Sequence, residues 1–238
     1  MIDFLRHQAR AFRARLAATR YRNMGLQDVF EDIYGKNMWG GGRGNEAFNS
    51  GSGSASSAAS PYVEAVSHYI RANEIGNIVD LGCGDFRVGS AIVAATDVRY
   101  TGVDITRPLI AHLNASAARP GIEFKCLNIV DDTLPPGDLY LIRQVLQHLS
   151  NTQIAAILAK LRAADLIVTE HVPTAPGVVR NKDKAAGPDI RLYRKSGVFL
   201  ESPPFSLTLE TLLEVPQPFN GVDAVLRTSL IRARQPLG

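Results

Sequence analysis

The sequence predicts an α/β fold in which a mostly parallel sheet is covered by helices and completed by an antiparallel hairpin. The first observation is a regular alternation, from Pro61 to Glu170, of short apolar runs with stretches of helical periodicity. Strands buried on both faces of a parallel sheet have continuous apolar runs of this kind. The second is a pair of β-like runs, 206–215 and 223–233, separated by PQPFNG. The third is the length, because 238 residues suit one α/β domain with a small appendage.

The elements of the central region follow one another in a regular order along the chain. A first helix is predicted over 61–73, with Ser60 as the N-cap and Pro61 at the first helical position. Strands are then predicted over the apolar runs 77–82, 99–104, 122–127, 138–143 and 165–170. Helices are predicted between them over 85–95, 107–117 and 151–163. Residues 171–204 combine prolines, glycines and charges, and are therefore predicted as a long loop.

The chain before the sheet is different in kind, and we predict two regions, 1–60 and 61–238. Helical periodicity at the start gives way to a segment rich in glycine and serine, so that together they form an N-terminal cap on the fold. Ordering a glycine- and serine-rich segment has a large entropic cost. Trp39 is unexpected in a pure linker, but it would anchor a lid that closes on a ligand. Both interpretations of 36–60, lid and linker, are open at this point.

Composition and charge argue against several classes of protein. The net charge of +3 does not by itself indicate nucleic-acid binding. No apolar run reaches the roughly 18–20 residues that a membrane span requires. Cys83 and Cys126 have neither metal-ligand spacing nor that of a disulfide framework. We therefore expect a cytoplasmic protein with no nucleic-acid partner, no integral membrane segment and no metal; the sequence indicates no oligomeric state.

The predicted N-terminal helix is strongly basic. It contains several arginines, and no acidic residue lies between Asp3 and Asp28. Apolar residues recur among these arginines at helical spacings. A basic amphipathic helix of this kind can lie on an anionic membrane. The alternative is a helix packed on the domain with its charges in solvent, and weak surface association through 1–22 is left open.

The segment VDLGCGDFRVG, residues 79–89, lies where the first predicted strand turns into a helix. Gly82 and Gly84 permit a tight turn and a close approach of the backbone to a ligand. Asp104 ends the second predicted strand, where an acid can accept hydrogen bonds from ribose hydroxyls. The glycine turn, its strand context and the distant acid together predict a nucleoside-binding site.

The charges around the glycine turn favour S-adenosylmethionine over a dinucleotide. A dinucleotide places its pyrophosphate at the helix N-terminus, usually with a third small residue in the motif. That third position is Arg87, and Asp85 lies where the pyrophosphate would bind. Two anions would then repel each other. S-adenosylmethionine has a sulfonium and an ammonium group and no phosphate, so Asp80 and Asp85 are compatible with it.

Three segments in this order resemble the motifs of class I, or Rossmann-like, S-adenosylmethionine-dependent methyltransferases. They are DLGCG, GVD and DDTLPPGDLYLIRQVLQHLS, and the similarity covers about residues 60–170. The resemblance implies a Rossmann-like methyltransferase fold, S-adenosylmethionine as the cofactor and methyl transfer as the reaction.

The resemblance also implies roles for individual residues in binding the methyl donor. The glycine turn would contact the methionine moiety, Asp104 would hold the ribose, and the fourth strand would line the donor pocket. Asn128 occupies the position of a family acid that binds the adenine amine, and its amide can still bond adenine. The predicted donor-binding residues are Asp80, Gly82, Gly84, Asp104, Ile105, Asn128, Ile129, Gln144 and Trp39.

The methyl acceptor is expected to be a small molecule with a hydroxyl group, such as a sugar or a secondary metabolite. His148 and His171 follow the fourth and fifth strands, and either can take a proton from a hydroxyl. Glu170 is a further candidate base or simply a hydrogen-bonding neighbour, and each histidine could instead have only a packing or capping role. Basic residues of the loop before SPPF would suit an anionic acceptor or would simply be solvated; they are Arg180, Lys182, Lys184, Arg191, Arg194 and Lys195.

Two other functions are consistent with parts of the sequence. The first is a nucleotide-sugar or NAD oxidoreductase, against which Arg87 and Asp85 argue. The second is a non-catalytic module that retains the donor-binding fold and recruits a partner through its basic N-terminal helix.

Overall fold

The computed structural model describes residues 20–21, 23–39, 48–51, 56–219 and 221–233. The predicted basic helix over 1–22 lies almost wholly outside the described residues, as does much of the glycine- and serine-rich segment. None of the helices in the described part of the chain has the length and apolar character needed to cross a bilayer.

Five α-helices and seven β-strands make up the described fold. The helices are α1 (Leu26–Gly35), α2 (Ser56–Ala72), α3 (Arg87–Thr96), α4 (Arg107–Ser116) and α5 (Asn151–Lys160). The strands are β1 (Asn77–Leu81), β2 (Arg99–Asp104), β3 (Ile122–Cys126), β4 (Leu139–Arg143), β5 (Asp165–Pro173), β6 (Glu210–Pro216) and β7 (Ala224–Ile231). Two 3-10 helices, Leu146–His148 and Arg191–Arg194, lie in the connections.

The strands form one seven-stranded sheet in the order β3-β2-β1-β4-β5-β7-β6. Strands β1 to β5 are parallel, and β7 and β6 complete the sheet as an antiparallel hairpin. Strands β2 and β3 follow β1 on one side of it, whereas β4 and β5 lie on its other side. The point at which the strand order reverses therefore lies between β1 and β4. Ligands in open α/β sheets bind at the carboxyl edge near such a switch point. The predicted fold class, with its parallel sheet and terminal hairpin, is confirmed.

Strand β5 is longer than predicted and continues through His171 to Pro173. Its register against β7 explains the extension, because Pro173 pairs with Ala224 and Leu166 pairs with Ile231. The antiparallel partner thus supplies hydrogen bonds beyond the point where the parallel neighbour ends. The boundary predicted at Glu170 was therefore wrong, and His171 belongs to the sheet rather than to a loop.

Helix α2 begins at Ser56, not at the predicted start near Pro61. Pro61 lies inside the helix, where its missing N–H removes one backbone hydrogen bond. Alanine and serine residues precede it, and the helix extends through them despite that loss. The Ser60-Pro61 pair resembles a helix start in sequence but does not form one.

Apolar side chains pack on both faces of the sheet, as expected for a sheet covered by helices. Along β1, Ile78 belongs to the core on one face, and Val79 and Leu81 belong to the core on the other. Successive side chains of a strand point to opposite faces, so this alternation follows from the strand itself. Helix α1 packs on the second of these cores through Val29 and Ile33.

Candidate functional site

A cavity of about 320 Å³ lies at the carboxyl edge of the sheet. The ends of β1, β2, β4 and β5 contribute to its walls, together with α1 and the segment that follows it. The cavity is lined by all of the predicted donor-binding residues and by both histidines that were candidates for accepting a proton. These residues are Trp39, Asp80, Gly82, Gly84, Asp104, Ile105, Asn128, Ile129, Gln144, His148 and His171.

The glycine turn is held against two neighbours at distances that only glycine allows. Gly82 and Gly84 have φ angles of 82° and 55°, in the left-handed region. A Cβ atom on Gly82 would lie 2.4 Å from Cγ2 of Val145, and one on Gly84 would lie 2.3 Å from Oγ of Ser50. The turn therefore presents its backbone to the cavity with no side chain in between.

Two backbone N–H groups hold the side chain of Asp104 in a fixed orientation. One carboxylate oxygen accepts a hydrogen bond from the Gly84 N–H at 3.3 Å, and the other accepts one from the Thr106 N–H at 3.0 Å. Burial raises the pKa of the Asp104 carboxyl above its usual value. Each oxygen has a second lone pair, so the oriented carboxylate can still accept hydrogen bonds from a ligand.

Asp80 lies at the floor of the cavity and is also oriented by a neighbour. The Tyr100 hydroxyl donates a hydrogen bond of 2.7 Å to its carboxylate. Burial raises the pKa of Asp80 to about 6. Near neutral pH it is mainly an anion, and a cationic ligand group nearby would hold it in that form.

Asn128 forms a turn with its own neighbours. Its side-chain Nδ2 donates to Asp131 at 2.6 Å, and its Oδ1 accepts from the Val130 N–H at 3.0 Å. Both polar atoms of the amide therefore have partners within the turn. The amide keeps a second N–H and a second lone pair, so the contact of Asn128 with adenine stays a prediction.

The segment after α1 closes one side of the cavity through contacts that the sequence did not reveal. The Ser50 N–H donates to Asp85 at 2.9 Å, and the Asp85 N–H donates to the Ser50 hydroxyl at 2.8 Å. The Tyr34 hydroxyl lies 3.0 Å from the same Ser50 oxygen. This reciprocal pair joins residues far apart in the chain, and no motif marks either of them. Asp85, whose charge argued against a pyrophosphate, is in addition ion-paired with Arg87 at 2.6 Å.

Trp39 and Gln144 each place in the cavity wall a buried hydrogen-bond donor that has no partner within the described residues. One is the indole Nε1 of Trp39. The centroid of the Trp39 ring lies 5.0 Å from that of Tyr34 and 5.2 Å from that of His148. The other is Nε2 of Gln144, a residue whose φ is 57°. Buried donors of this kind are ordinarily satisfied, and in a cavity a ligand can satisfy them.

The two histidines differ in what their rings contact. Nδ1 of His148 lies 3.1 Å from the Gly187 carbonyl oxygen, whereas neither ring nitrogen of His171 has a partner within the described residues. Burial and then Lys184 lower the pKa of His148 to about 3. Burial and then Arg143 lower the pKa of His171 to about 4. Both rings are therefore neutral near pH 7, and His171 is the one whose nitrogens are available.

Glu170, a candidate base from the sequence, does not line the cavity. Its carboxylate accepts hydrogen bonds from the Leu146 and Gln147 N–H groups at 2.7 and 3.2 Å, and so holds the 3-10 helix. Glu170 and His171 are adjacent in β5, and adjacent side chains of a strand point to opposite faces. Burial raises the pKa of Glu170 to about 8. Of the two interpretations of Glu170, the contacts therefore support the hydrogen-bonding neighbour and not the base.

None of the six basic loop residues from Arg180 to Lys195 lines the cavity. Lys184 is buried, and its Nζ lies 3.2 Å from the Asp189 carboxylate and donates to the His148 carbonyl oxygen at 3.2 Å. Arg191 donates to the Leu149 carbonyl oxygen at 2.7 Å. These charges hold the loop against the 3-10 helix, so the expectation that they face an anionic acceptor was wrong. Their alternation along the sequence gave no sign of burial.

Residues 78–165 match a family model described as a methyltransferase domain. This match spans the glycine turn and Asp104, which line the cavity, and it ends at the first residue of β5. Over these residues the chain contains a methyltransferase domain of the class I, S-adenosylmethionine-dependent kind. No curated protein matches the sequence.

Solved structures share the fold of this methyltransferase at low sequence identity. The 1,6-didemethyltoxoflavin-N1-methyltransferase of Burkholderia thailandensis has a TM-score of 0.55 and 19% identity, over 92% of this chain and 91% of that one. The N-methyltransferase NodS of Bradyrhizobium japonicum WM9 has a TM-score of 0.53 and 13% identity, over 75% and 88%. The magnesium protoporphyrin IX methyltransferase ChlM of Synechocystis PCC 6803 has a TM-score of 0.52 and 14% identity, over 87% and 98%. At these identities the likeness shows the fold.

The cavity fits the cofactor of this class of enzyme. The backbone of its glycine turn is accessible to a ligand, and Asp104 can still accept hydrogen bonds from a ribose. The donors of Trp39 and Gln144 that have no partner among the described residues can bond to acceptor atoms of a ligand. The protein is thus an S-adenosylmethionine-dependent enzyme, and the oxidoreductase and the non-catalytic module do not describe it.

Proposed function

We propose that this methyltransferase transfers a methyl group to a hydroxyl oxygen of a small acceptor, and that His171 receives the hydroxyl proton. The observation that carries the proposal is the His171 ring, which lines the cavity at 4% exposure with no partner on either nitrogen among the described residues. A neutral imidazole in that position can accept a hydrogen bond from an acceptor hydroxyl.

The donor is held by the residues that the sequence predicted, in roles that fit their contacts. Gly82 and Gly84 let the methionine moiety approach the backbone, with Asp80 below it, and Asp104 accepts from the ribose hydroxyls. Bound S-adenosylmethionine supplies a methyl group on a positively charged sulfur, and its loss to an acceptor oxygen leaves a neutral thioether.

The purine ring then lies beside the turn that begins at Asn128, against apolar walls. Ile105 and Ile129 line the cavity there, and Trp39 closes it from the side of the N-terminal segment. Gln144 offers its unpartnered amide nitrogen to an acceptor atom of the donor molecule. In this arrangement Trp39 and Ser50 cover the donor from the side of the N-terminal segment, which favours the lid over the linker for 36–60.

His171 acts by orientation more than by basicity. Its pKa of about 4 lies below the neutral range in which a general base works best, and Arg143 disfavours a positive charge on the ring. The hydroxyl is therefore aligned first, and its proton moves to the ring nitrogen as the bond to carbon forms. His148 is the weaker candidate because Nδ1 of its ring already faces the Gly187 carbonyl oxygen.

The proposal is tested by supplying the full-length chain with methyl-labelled S-adenosylmethionine and small hydroxyl compounds, and by locating the transferred label by mass spectrometry. We expect the label on oxygen. With that acceptor, His171→Gln should lower kcat by about 100-fold or more, with the affinity for S-adenosylhomocysteine unchanged.

His148→Gln is the matched control and should cost much less in kcat. A label found on nitrogen would overturn the assignment of the acceptor atom. Unchanged turnover by His171→Gln would remove this residue from proton transfer.

A further inference from the structure

We propose that the acceptor carries a planar aromatic ring, and that Tyr193 and Phe219 form the aromatic wall that selects it. The inference rests on the proposed function, because it assigns to the methyl acceptor the part of the cavity that the donor does not fill. It favours an aromatic hydroxyl compound over the sugar that the sequence left open.

The cavity has two sides that come from different parts of the sheet. The donor side is built from the ends of β1, β2 and β3, with the glycine turn and Asp104. The acceptor side lies beyond β4 and β5, at Arg143 and His171, and is completed by the turn between β6 and β7. The pairing of Pro173 with Ala224 places that turn at the same edge of the sheet as the carboxyl end of β5.

Aromatic rings dominate the acceptor side. The Phe219 ring lies 5.8 Å from the His171 ring at an interplanar angle of 45°, and 6.0 Å from the Tyr193 ring at 63°. Neither pair is a parallel stack, so the three rings form an angled wall. Aromatic pairs prefer offset or edge-to-face contacts at 4.5–7 Å, and a planar ligand ring can add to such a set.

The wall is held in place by the backbone. Phe219 and Val222 exchange two backbone hydrogen bonds of 3.0 Å across the turn. Both residues pack with Tyr193 on a small apolar cluster whose buried members include Ile190. A wall fixed in this way requires little ordering when a ligand binds, which favours affinity.

The polar groups of this side suit an acceptor with few hydroxyls. Apart from the tyrosine hydroxyls, the polar side chains here are Arg143, Gln147, His148, His171 and Gln217, and the rest of the wall is apolar or aromatic. A sugar has a hydroxyl on most of its carbon atoms, and each one buried without a partner costs free energy. A phenolic compound needs a partner for one or two hydroxyls only.

Binding of small probes to the full-length chain, saturated with S-adenosylhomocysteine, tests the inference without requiring the natural acceptor. Ligand-observed NMR compares catechol, vanillate, salicylate and naphthol with methyl glucoside, rhamnose and inositol. We expect binding among the aromatic probes and none among the sugars. Phe219→Leu keeps an apolar side chain but removes the ring, and should weaken the best aromatic probe by about 10-fold.

Phe205→Leu is the matched control, because Phe205 is a half-buried aromatic residue outside the cavity. It should leave probe binding unchanged. Binding of sugars only, binding of no probe, or equal binding by Phe219→Leu and wild type would each overturn the aromatic acceptor. Failure of S-adenosylhomocysteine itself to bind would instead overturn the proposed function, and the inference with it.

Discussion

The donor side and the acceptor side of the cavity are assembled in different ways. The centre of the donor side comes from one stretch of chain, in which the turn after β1 and the end of β2 bond to each other through Gly84 and Asp104. The acceptor side draws Arg143, His171 and Phe219 from three separate segments. A site of the first kind leaves a motif in the sequence, because its spacing is set by one turn and one crossover. A site of the second kind leaves none.

The largest effect is expected from the buried ion pair that fixes the acceptor side. The Lys184 side chain is fully buried, and its pair with Asp189 links the loop to the His148 carbonyl. Lys184→Met leaves Arg194, at 3.4 Å, as the remaining ion-pair partner of the buried Asp189 carboxylate, and it removes the donor to the His148 carbonyl oxygen. Loss of one partner of a buried pair typically costs about 3–5 kcal/mol, and we expect the lower end of that range here. Urea unfolding should show that loss in the free energy of unfolding.

The exposed pair of Arg20 and Asp32, at 53% and 18% side-chain exposure, provides the comparison. Arg20→Met should cost no more than about 1 kcal/mol. Equal effects of the two substitutions would mean that the buried pair does not hold the acceptor side.

Alanine substitutions of two glycines separate the close packing of the donor-side turn from the strain of its left-handed backbone. Gly82 and Gly121 have similar φ angles of 82° and 87°, but a Cβ on Gly121 would meet no atom within 4 Å. Alanine at either position incurs the left-handed penalty of about 1–2 kcal/mol. Only Gly82→Ala should also displace Val145 and weaken S-adenosylhomocysteine binding, by about 100-fold or about 2.7 kcal/mol.

Titration calorimetry of the two alanine variants measures the difference. Unchanged affinity in Gly82→Ala would show that the turn does not approach the donor.

The pH dependence of stability gives a smaller effect that reports on the acceptor side. The pKa of His171 is lowered to about 4 from a usual value of 6.5, so the unfolded chain binds its proton more readily. Stability from this group is therefore present above about pH 6.5 and is lost as the pH falls toward 4. For one group, the free energy of unfolding cannot change by more than about 1.4 kcal/mol per pH unit.

Urea unfolding of wild type and His171→Gln between pH 7 and pH 5 isolates this group. Buried acids such as Glu170 affect both proteins alike, so the wild type should show the steeper loss toward low pH. Parallel pH profiles would mean that His171 is not held neutral by its surroundings.

The smallest signal is expected from Trp39, the one tryptophan of the chain. Its indole nitrogen has no partner within the described residues, and its ring contacts Tyr34 and His148. If the segment over 36–60 is a lid, S-adenosylhomocysteine should shift the emission and protect the segment from proteases, whereas NAD should do neither. Constant emission and constant cleavage at saturating ligand would identify a linker.

The same contrast explains what the sequence could and could not predict. The strands, the terminal hairpin and the donor-side residues around Gly82 and Asp104 follow from apolar runs and one motif. Ser50 could not be predicted, since its bonds to Asp85 join two loops that no periodicity connects. The burial of Lys184 could not be predicted, because it depends on the fold of the loop. The position of Glu170 outside the cavity could not be predicted either, because the end of β5 depends on its pairing with β7.

Affinity for S-adenosylhomocysteine, measured by calorimetry in two variants side by side, tests most directly whether the cavity is divided as described. Asp104→Ala removes the ribose acceptor on the donor side, and Phe219→Leu alters only the acceptor side. With both variants confirmed as folded, Asp104→Ala should bind about 10- to 100-fold more weakly, and Phe219→Leu should bind as the wild type does. Unchanged affinity in Asp104→Ala, or an equal loss in both, would contradict the division of the cavity into a donor side and an acceptor side.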